Sequence, residues 1–399
     1  MPDDLAREVR RLVAESNGIL NLVPSWVARD FLLAGHRLGL EDYSVEDKRR
    51  GEVCERWFGS TARADNACGP EDEGLAYVAR PDGSRMLLRD CVNSAGEEIL
   101  GKDYFRSHGG INFFTKLFDY AAPIPFHLHQ MEKDIVPRGK NPKEEAYHFP
   151  EGVPMGSFPY SFIGVHPSIA RPENRVKLIP YLEKWENDEI LKLSRGYRLV
   201  PGEGFLIPSG TLHAPGTALT LEIQEASDVY SMFMPPPGEK RMSKDLLWKD
   251  VDPEIRSRND LKALLDLVNW EVAGDPYFYE HYHLTPIPVR ARPQVESEER
   301  WVFYGTRKFS GKKLVVRPSG RYDFQERGAF TLFVWQGTGE VGGVPVRAGG
   351  DHSRDEFFVV HDIATCKIAV ENTGMEELII FKFFGEDVNP DAPNLPSYP

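Results

Sequence analysis

Gly202-Glu-Gly-Phe-Leu-Ile-Pro208-Ser-Gly210-Thr-Leu-His213 reads as a short apolar strand, a tight turn and a histidine delivered at the turn's exit. Pro208 presets one backbone angle, and Gly210 accepts the positive φ that such a turn needs. Upstream, Pro125-Phe126-His127-Leu128-His129 sets two histidines one residue apart. Alternate side chains of an extended strand share a face, so both imidazoles point the same way. Two imidazoles on one face make half of a divalent-metal site. Between the two stretches, Glu145-Ala-Tyr-His-Phe-Pro-Glu-Gly152 offers a carboxylate at the start of a strand. His127, His129, Glu145 and His213 are therefore the candidate metal ligands.

Composition bounds the rest. At 399 residues the chain can bury a sizeable core, and its length suggests two or three domains. A net charge of -13 argues against nucleic acid and against an anionic membrane surface as partners. No apolar run approaches the ~20 residues that span a bilayer. The N-terminal residues are charged and lack an apolar signal segment. The cysteines, Cys54, Cys68, Cys91 and Cys366, form no Cys-x-x-Cys pair. That pattern suits a reduced, cytoplasmic protein with no disulfide framework and no cysteine zinc site.

Apolar spacing predicts a helix over residues 3–16 and another over 25–34. From 51 to 101, short runs broken by Gly, Pro, Asn and Asp predict strands and turns. Residues 109–127 read as strand, turn and strand; 130–144, with two prolines and a glycine, read as a loop. Strand-and-turn text then runs to about 235. Helical spacing returns at 243–248 and 253–270, before a proline-containing connector at 284–293. The last hundred residues carry six expected strands, beginning near 301, 313, 330, 357, 366 and 378. Many short strands with Gly/Pro turns predict a mainly β chain built as a pair of small barrels.

These motifs resemble those of the cupin superfamily. The 202–213 stretch matches the second cupin motif at every fixed position. His127-x-His129 with a later glutamate matches the first, Glu145 lying beyond an insertion and Glu132 coming too early. Other stretches resemble type I mannose-6-phosphate isomerases: Glu55-Arg-Trp57-Phe-Gly-Ser60, Phe113 to Pro123, Lys143-Glu-Glu145-Ala-Tyr147 and Leu219 to Asp228. Gly349-Gly-Asp-His-Ser-Arg-Asp-Glu resembles a turn of their C-terminal barrel. The resemblance implies two cupin (double-stranded β-helix) barrels with helical N-terminal and connecting segments. It divides the chain into an N-terminal segment over 1–100 packing on the first barrel, and a metal-binding barrel over 101–238. A helical connector over 239–293 and a metal-free barrel over 294–399 follow.

The resemblance implies an aldose–ketose isomerase acting through an enediolate on a sugar or sugar phosphate, with a divalent metal: zinc first, manganese or iron otherwise. His-x-His stands where that family has Gln-x-His, and the family's arginine after Ser227-Asp228 is absent. His127-x-His129 followed by Glu132-Lys-Asp-Ile-Val-Pro-Arg-Gly instead resembles isomerases of free sugars such as the D-lyxose isomerases. Such chemistry needs a general base. Thr220, Glu222 and Gln224 share one strand face, which makes Glu222 the first candidate. Lys116 is the candidate for orienting hydroxyls, and Arg138 for a lid residue on the inserted loop. Lys143 shares a face with Glu145, while Trp57 and Tyr147 are candidates for packing on a sugar ring. The His281-Tyr-His283 pair has no following Pro-x-Gly-x-x-His turn and reads as ordinary paired histidines. No cofactor beyond the metal is expected, and a homodimer is compatible. The competing classes are an iron(II) cupin dioxygenase and a non-catalytic sugar-binding cupin.

Overall fold

A computed structural model describes residues 2–235, 243–290 and 297–396. The boundaries expected at 238/239 and 293/294 lie outside the described residues.

Strands of the Phe113 to Met232 region form two sheets. The larger has seven strands, in the order His283–Leu284, Gly204–Ile207, Glu145–His148, Thr220–Glu225, Phe113–Phe118, Glu52–Phe58 and Ser25–Arg29. The smaller has five: Gly196–Arg198, Tyr160–Ile163, His213–Ala214, His127–Leu128 and Ser231–Met232. The C-terminal strands make a nine-stranded sheet facing a four-stranded one, and Leu314, Phe330, Phe357, Val341 and Val370 from both fill the space between them. The large sheets of the two units pack against each other, with Phe58 on Phe333 at 4.3 Å and His148 on Phe381 at 5.5 Å. A mainly β architecture follows from alternating apolar residues whose faces are each covered by another layer.

The Pro2–Glu15 helix forms as its spacing predicts. The six expected C-terminal strands also form, joined by Arg321–Phe324, Thr338–Val341 and Val344–Arg347. The helix expected over 25–34 does not. Ser25–Arg29 is a strand paired antiparallel with Glu52–Phe58, because a ten-residue apolar run carries both periods and the sheet edge decides between them. Leu88–Leu100 is a helix inside the stretch expected to be strands. Its buried stripe of Leu88, Cys91, Val92, Ala95 and Ile99 outweighs the breakers Asn93 and Gly96. The loop expected over 130–144 contains a turn of helix at Glu132–Ile135. Residues 167–193, expected as strands and turns, are short helices whose Ile169, Leu178, Leu182 and Ile190 bury against the outer face of the five-stranded sheet. The helical stretch expected over 253–270 breaks at Asn259 (φ +50), with Asp252, Asp260 and Asn269 capping the pieces.

The N-terminal segment serves both units. Ser25–Arg29 and Glu52–Phe58 extend the seven-stranded sheet, while Ile19–Val23 pairs with Glu356–Val359 in the nine-stranded one.

Candidate metal centre

His213 and His127 are directly opposite on neighbouring strands of the five-stranded sheet. A directly opposed pair shares a face, so both imidazoles enter the space between the sheets. His129 follows two residues on, and its main-chain carbonyl accepts the Gly210 N–H at 2.7 Å, which ties the turn to the His-x-His strand. Ligand nitrogens of His127, His129 and His213 all lie within 4.8 Å of one another, and all three rings are buried.

The inner ring of contacts assigns the tautomers. His127 Nδ1 lies 2.7 Å from the Pro125 carbonyl, His129 Nδ1 2.7 Å from the Val229 carbonyl, and His213 Nδ1 2.9 Å from the Thr211 carbonyl. A carbonyl only accepts, so each Nδ1 carries the proton and each Nε2 keeps its lone pair. Burial holds His129 down to about 4 and His127 well below the ordinary range, so both are neutral imidazoles, the form that binds metal.

Glu145 faces them from the larger sheet, its Oε1 2.9 Å from His213 Nε2 and its Oε2 3.1 Å from His129 Nε2. Burial alone would raise this carboxyl, but the Lys143 ammonium beside it holds it well below the usual carboxylate range. Despite these short separations, His213 Nε2 has no hydrogen bond of acceptable geometry, while Glu145 Oε2 lies 2.6 Å from Lys143 Nζ. A buried nitrogen lone pair left without a donor calls for another partner. Three imidazole lone pairs and one ionised carboxylate are the donor set that suits zinc, manganese or iron. The residues present therefore fit a divalent metal.

The second layer lies on the larger sheet. Glu222 is opposite Lys116 on one side and Tyr147 on the other. Its Oε1 lies 3.1 Å from Lys143 Nζ and 3.4 Å from Lys116 Nζ, again without a well-oriented hydrogen bond. Burial and then the Glu145 carboxylate push Glu222 up to about 7, against the pull of the two lysines. The Tyr147 hydroxyl donates to Glu145. Tyr147 thus braces the carboxylate, and Trp57, fully buried on Phe114 at 4.3 Å, belongs to the core. Glu222 and Lys116 are together beside the histidines. The Arg138 guanidinium donates to the Asp250 carbonyl at 2.6 Å. His281 and His283 pair with Asp275 and Glu203 at 2.5 and 2.7 Å.

Sequence reasoning missed the outer charges. Arg29 reaches Glu55 at 3.2 Å and Asp228 at 3.1 Å, and Glu55 also accepts from Tyr120 at 2.6 Å and Trp57 at 2.7 Å. Arg29 is 199 positions from Asp228, and no local pattern signals a pairing over that distance.

No family profile and no curated protein matches the sequence. Solved structures do resemble the fold. Mannose 6-phosphate isomerase from Bacillus subtilis aligns with a TM-score of 0.62 at 16% identity, covering 92% of this chain and 99% of that one. An arginine-to-alanine variant of phosphomannose isomerase from Salmonella typhimurium aligns with a TM-score of 0.61 at 14% identity, covering 92% of this chain and 100% of that one. The chain thus has the mainly β, cupin-like fold of the phosphomannose isomerases.

Proposed function

We propose that this protein is a metal-dependent aldose–ketose isomerase acting on a sugar or sugar phosphate, built on two cupin barrels of which the first, over residues 101–238, holds the metal. The observation that carries the reading is the convergence of three proton-free Nε2 atoms and Glu145 beside a second buried carboxylate, Glu222. His127, His129, Glu145 and His213 are the ligands in this proposal. Zinc comes first, with manganese and iron as alternatives.

When bound at His127, His129, Glu145 and His213, a divalent metal would supply Lewis-acid stabilisation of the negative charge that develops on the substrate. The chain's own residues do the rest. Glu222 takes the proton from C2 of the aldose and returns it to C1 while the hydroxyl proton passes from O2 to O1, so the same carboxyl serves as base and then as acid. A buried carboxyl held up to about 7 between two lysines is suited to that exchange near neutrality. Lys116 and Lys143 flank it, orienting the substrate's hydroxyls and offsetting the negative charge of the enediolate. Arg138 keeps the inserted loop at the rim. The protein is read as cytoplasmic, and a homodimer is compatible with it.

The test is a panel of aldoses and ketoses, free and phosphorylated, incubated with zinc- or manganese-loaded protein, with and without chelator. Interconversion that chelator stops supports the proposal. Iron content with oxygen uptake would favour a dioxygenase instead, and sugar binding without turnover a non-catalytic cupin.

A further inference from the structure

His129 is held, at one remove, by a carboxylate that follows the helical turn Lys244–Trp248. The His129 Nδ1–H donates to the Val229 carbonyl at 2.7 Å. The N–H of that same peptide unit, on Tyr230, donates to Asp250 Oδ2 at 3.2 Å. An N–H bonded to an anion leaves its peptide more polarised, and the carbonyl at the other end becomes a stronger acceptor. Hydrogen bonds thus connect Asp250, through one main-chain amide, to a candidate ligand imidazole. Metal-binding histidines commonly pass their second N–H straight to a carboxylate, which orients the ring and makes the ligating nitrogen more basic. Here a peptide unit stands between the two.

Lys249 and Asp250 grip both segments that meet at His129. The Lys249 carbonyl accepts from Ser231 Oγ at 2.5 Å and from Gln130 Nε2 at 3.3 Å. Lys249 Nζ lies 3.3 Å from the Asp228 carbonyl and 2.8 Å from the Asp250 carboxylate. Lys140, on the inserted loop, also meets that carboxylate, and the Asp250 side chain is only 3% exposed. Burial would raise this carboxyl, but Lys249 and then Lys140 hold it below the ordinary carboxylate range, so it is an anion at neutral pH. Its backbone has φ +56, in the left-handed region. A residue other than glycine stays there only where its surroundings over-determine it.

We propose that Asp250 is a positioning residue of the metal centre: through the Val229–Tyr230 peptide its carboxylate orients His129 and makes the Nε2 of that ring a stronger electron-pair donor. Asp250 thereby contributes to metal affinity without touching the ion. The inference rests on the assignment of His129 as a ligand for its effect on metal affinity, whereas the hydrogen-bonded connection to His129 is tested without metal.

Zinc affinity of the full chain is measured by chelator competition, beside Asp250→Asn, Asp250→Gly and Lys140→Met. Asparagine keeps the side chain's shape and tolerates the left-handed backbone but carries no charge. Glycine suits that backbone and removes the carboxylate, so a loss shared by both variants does not come from strain. Both are expected to bind zinc about tenfold more weakly, while Lys140→Met, which leaves the peptide's hydrogen bonds in place, stays within about twofold of wild type. Unchanged affinity in Asp250→Asn and Asp250→Gly overturns the proposal. An equal loss in Lys140→Met also overturns it, by making the loop's anchorage the cause. The second readout is the His129 Nδ1–H proton resonance of metal-free protein, assigned by its loss in His129→Gln. It should move upfield in Asp250→Asn, with those of His127 and His213 unmoved; a His129 resonance that does not move overturns the proposal. If the wild-type protein takes up no zinc, the ligand assignment fails, and the resonance alone decides whether Asp250 acts on His129.

Discussion

At the scale of single residues, the proposed function assigns metal binding and proton transfer to different carboxylates. Glu145 lies against two imidazole nitrogens, while Glu222 faces two lysines. Glu222→Gln keeps the side chain's shape but removes its basicity. It is expected to lower kcat about 10²–10⁴-fold, with metal content unchanged by elemental analysis. The base must be ionised to act, so kcat/KM should rise with pH. Glu222 sits at about 7 before a cation is bound. A bound cation favours the charged carboxylate, which puts the rising limb at or below pH 7. His213→Ala removes the ligand that the turn delivers and should lose metal retention after dialysis. A variant with full metal content would refute the ligand assignment.

At the scale of elements, the decisive piece is the turn between Gly204–Ile207 and His213–Ala214. Gly210 has φ +79, and a Cβ added there would stand 2.8 Å from Met131 Cγ and 2.9 Å from Asn269 Cβ. Its N–H is bonded to the His129 carbonyl, and its own carbonyl accepts from Asn269. Gly210→Ala therefore strains a position that aligns His213 with His129. We expect a loss of about 1–3 kcal/mol in chemical denaturation together with weaker metal affinity. Unchanged stability with weaker metal binding would remove the strain argument. Element prediction erred where two periods compete: Ser25–Arg29 lacks length to distinguish helix from strand, and pairing with Glu52–Phe58 settles it.

At the scale of the whole molecule, Arg56 bridges the two β units. It donates to Asp355 at 2.7 Å through both terminal nitrogens and to Glu356 at 3.2 Å, with His352 3.1 Å away. One guanidinium serves two carboxylates, and burial pushes Glu356 up to about 7. A carboxyl raised above its unfolded value contributes most at low pH. Stability is lost as pH rises from about 4.5 through 7, by up to about 3 kcal/mol. Glu356→Gln should flatten that decline in melting temperature against pH. Removing Arg56 as Arg56→Met strands two buried carboxylates and should cost about 3–5 kcal/mol, read by denaturation at neutral pH.

The sequence by itself determined the local facts: the turn at Pro208–Gly210, the shared face of His127 and His129, the polar face of Thr220, Glu222 and Gln224, and most C-terminal strands. Strand period and turn geometry act over a few residues, so they are legible in a few residues. Only the tertiary structure decided that Lys143 lies between Glu145 and Glu222, that Arg29 closes on Asp228, and that the N-terminal strands divide between two sheets. Those outcomes depend on which strands become neighbours and on the need to pair every charge that burial removes from water. Both are properties of contacts between distant parts of the chain. Hence the candidate metal ligands were readable from spacing, while the charge balance around Glu145 and Glu222 emerged only when the sheets closed around them.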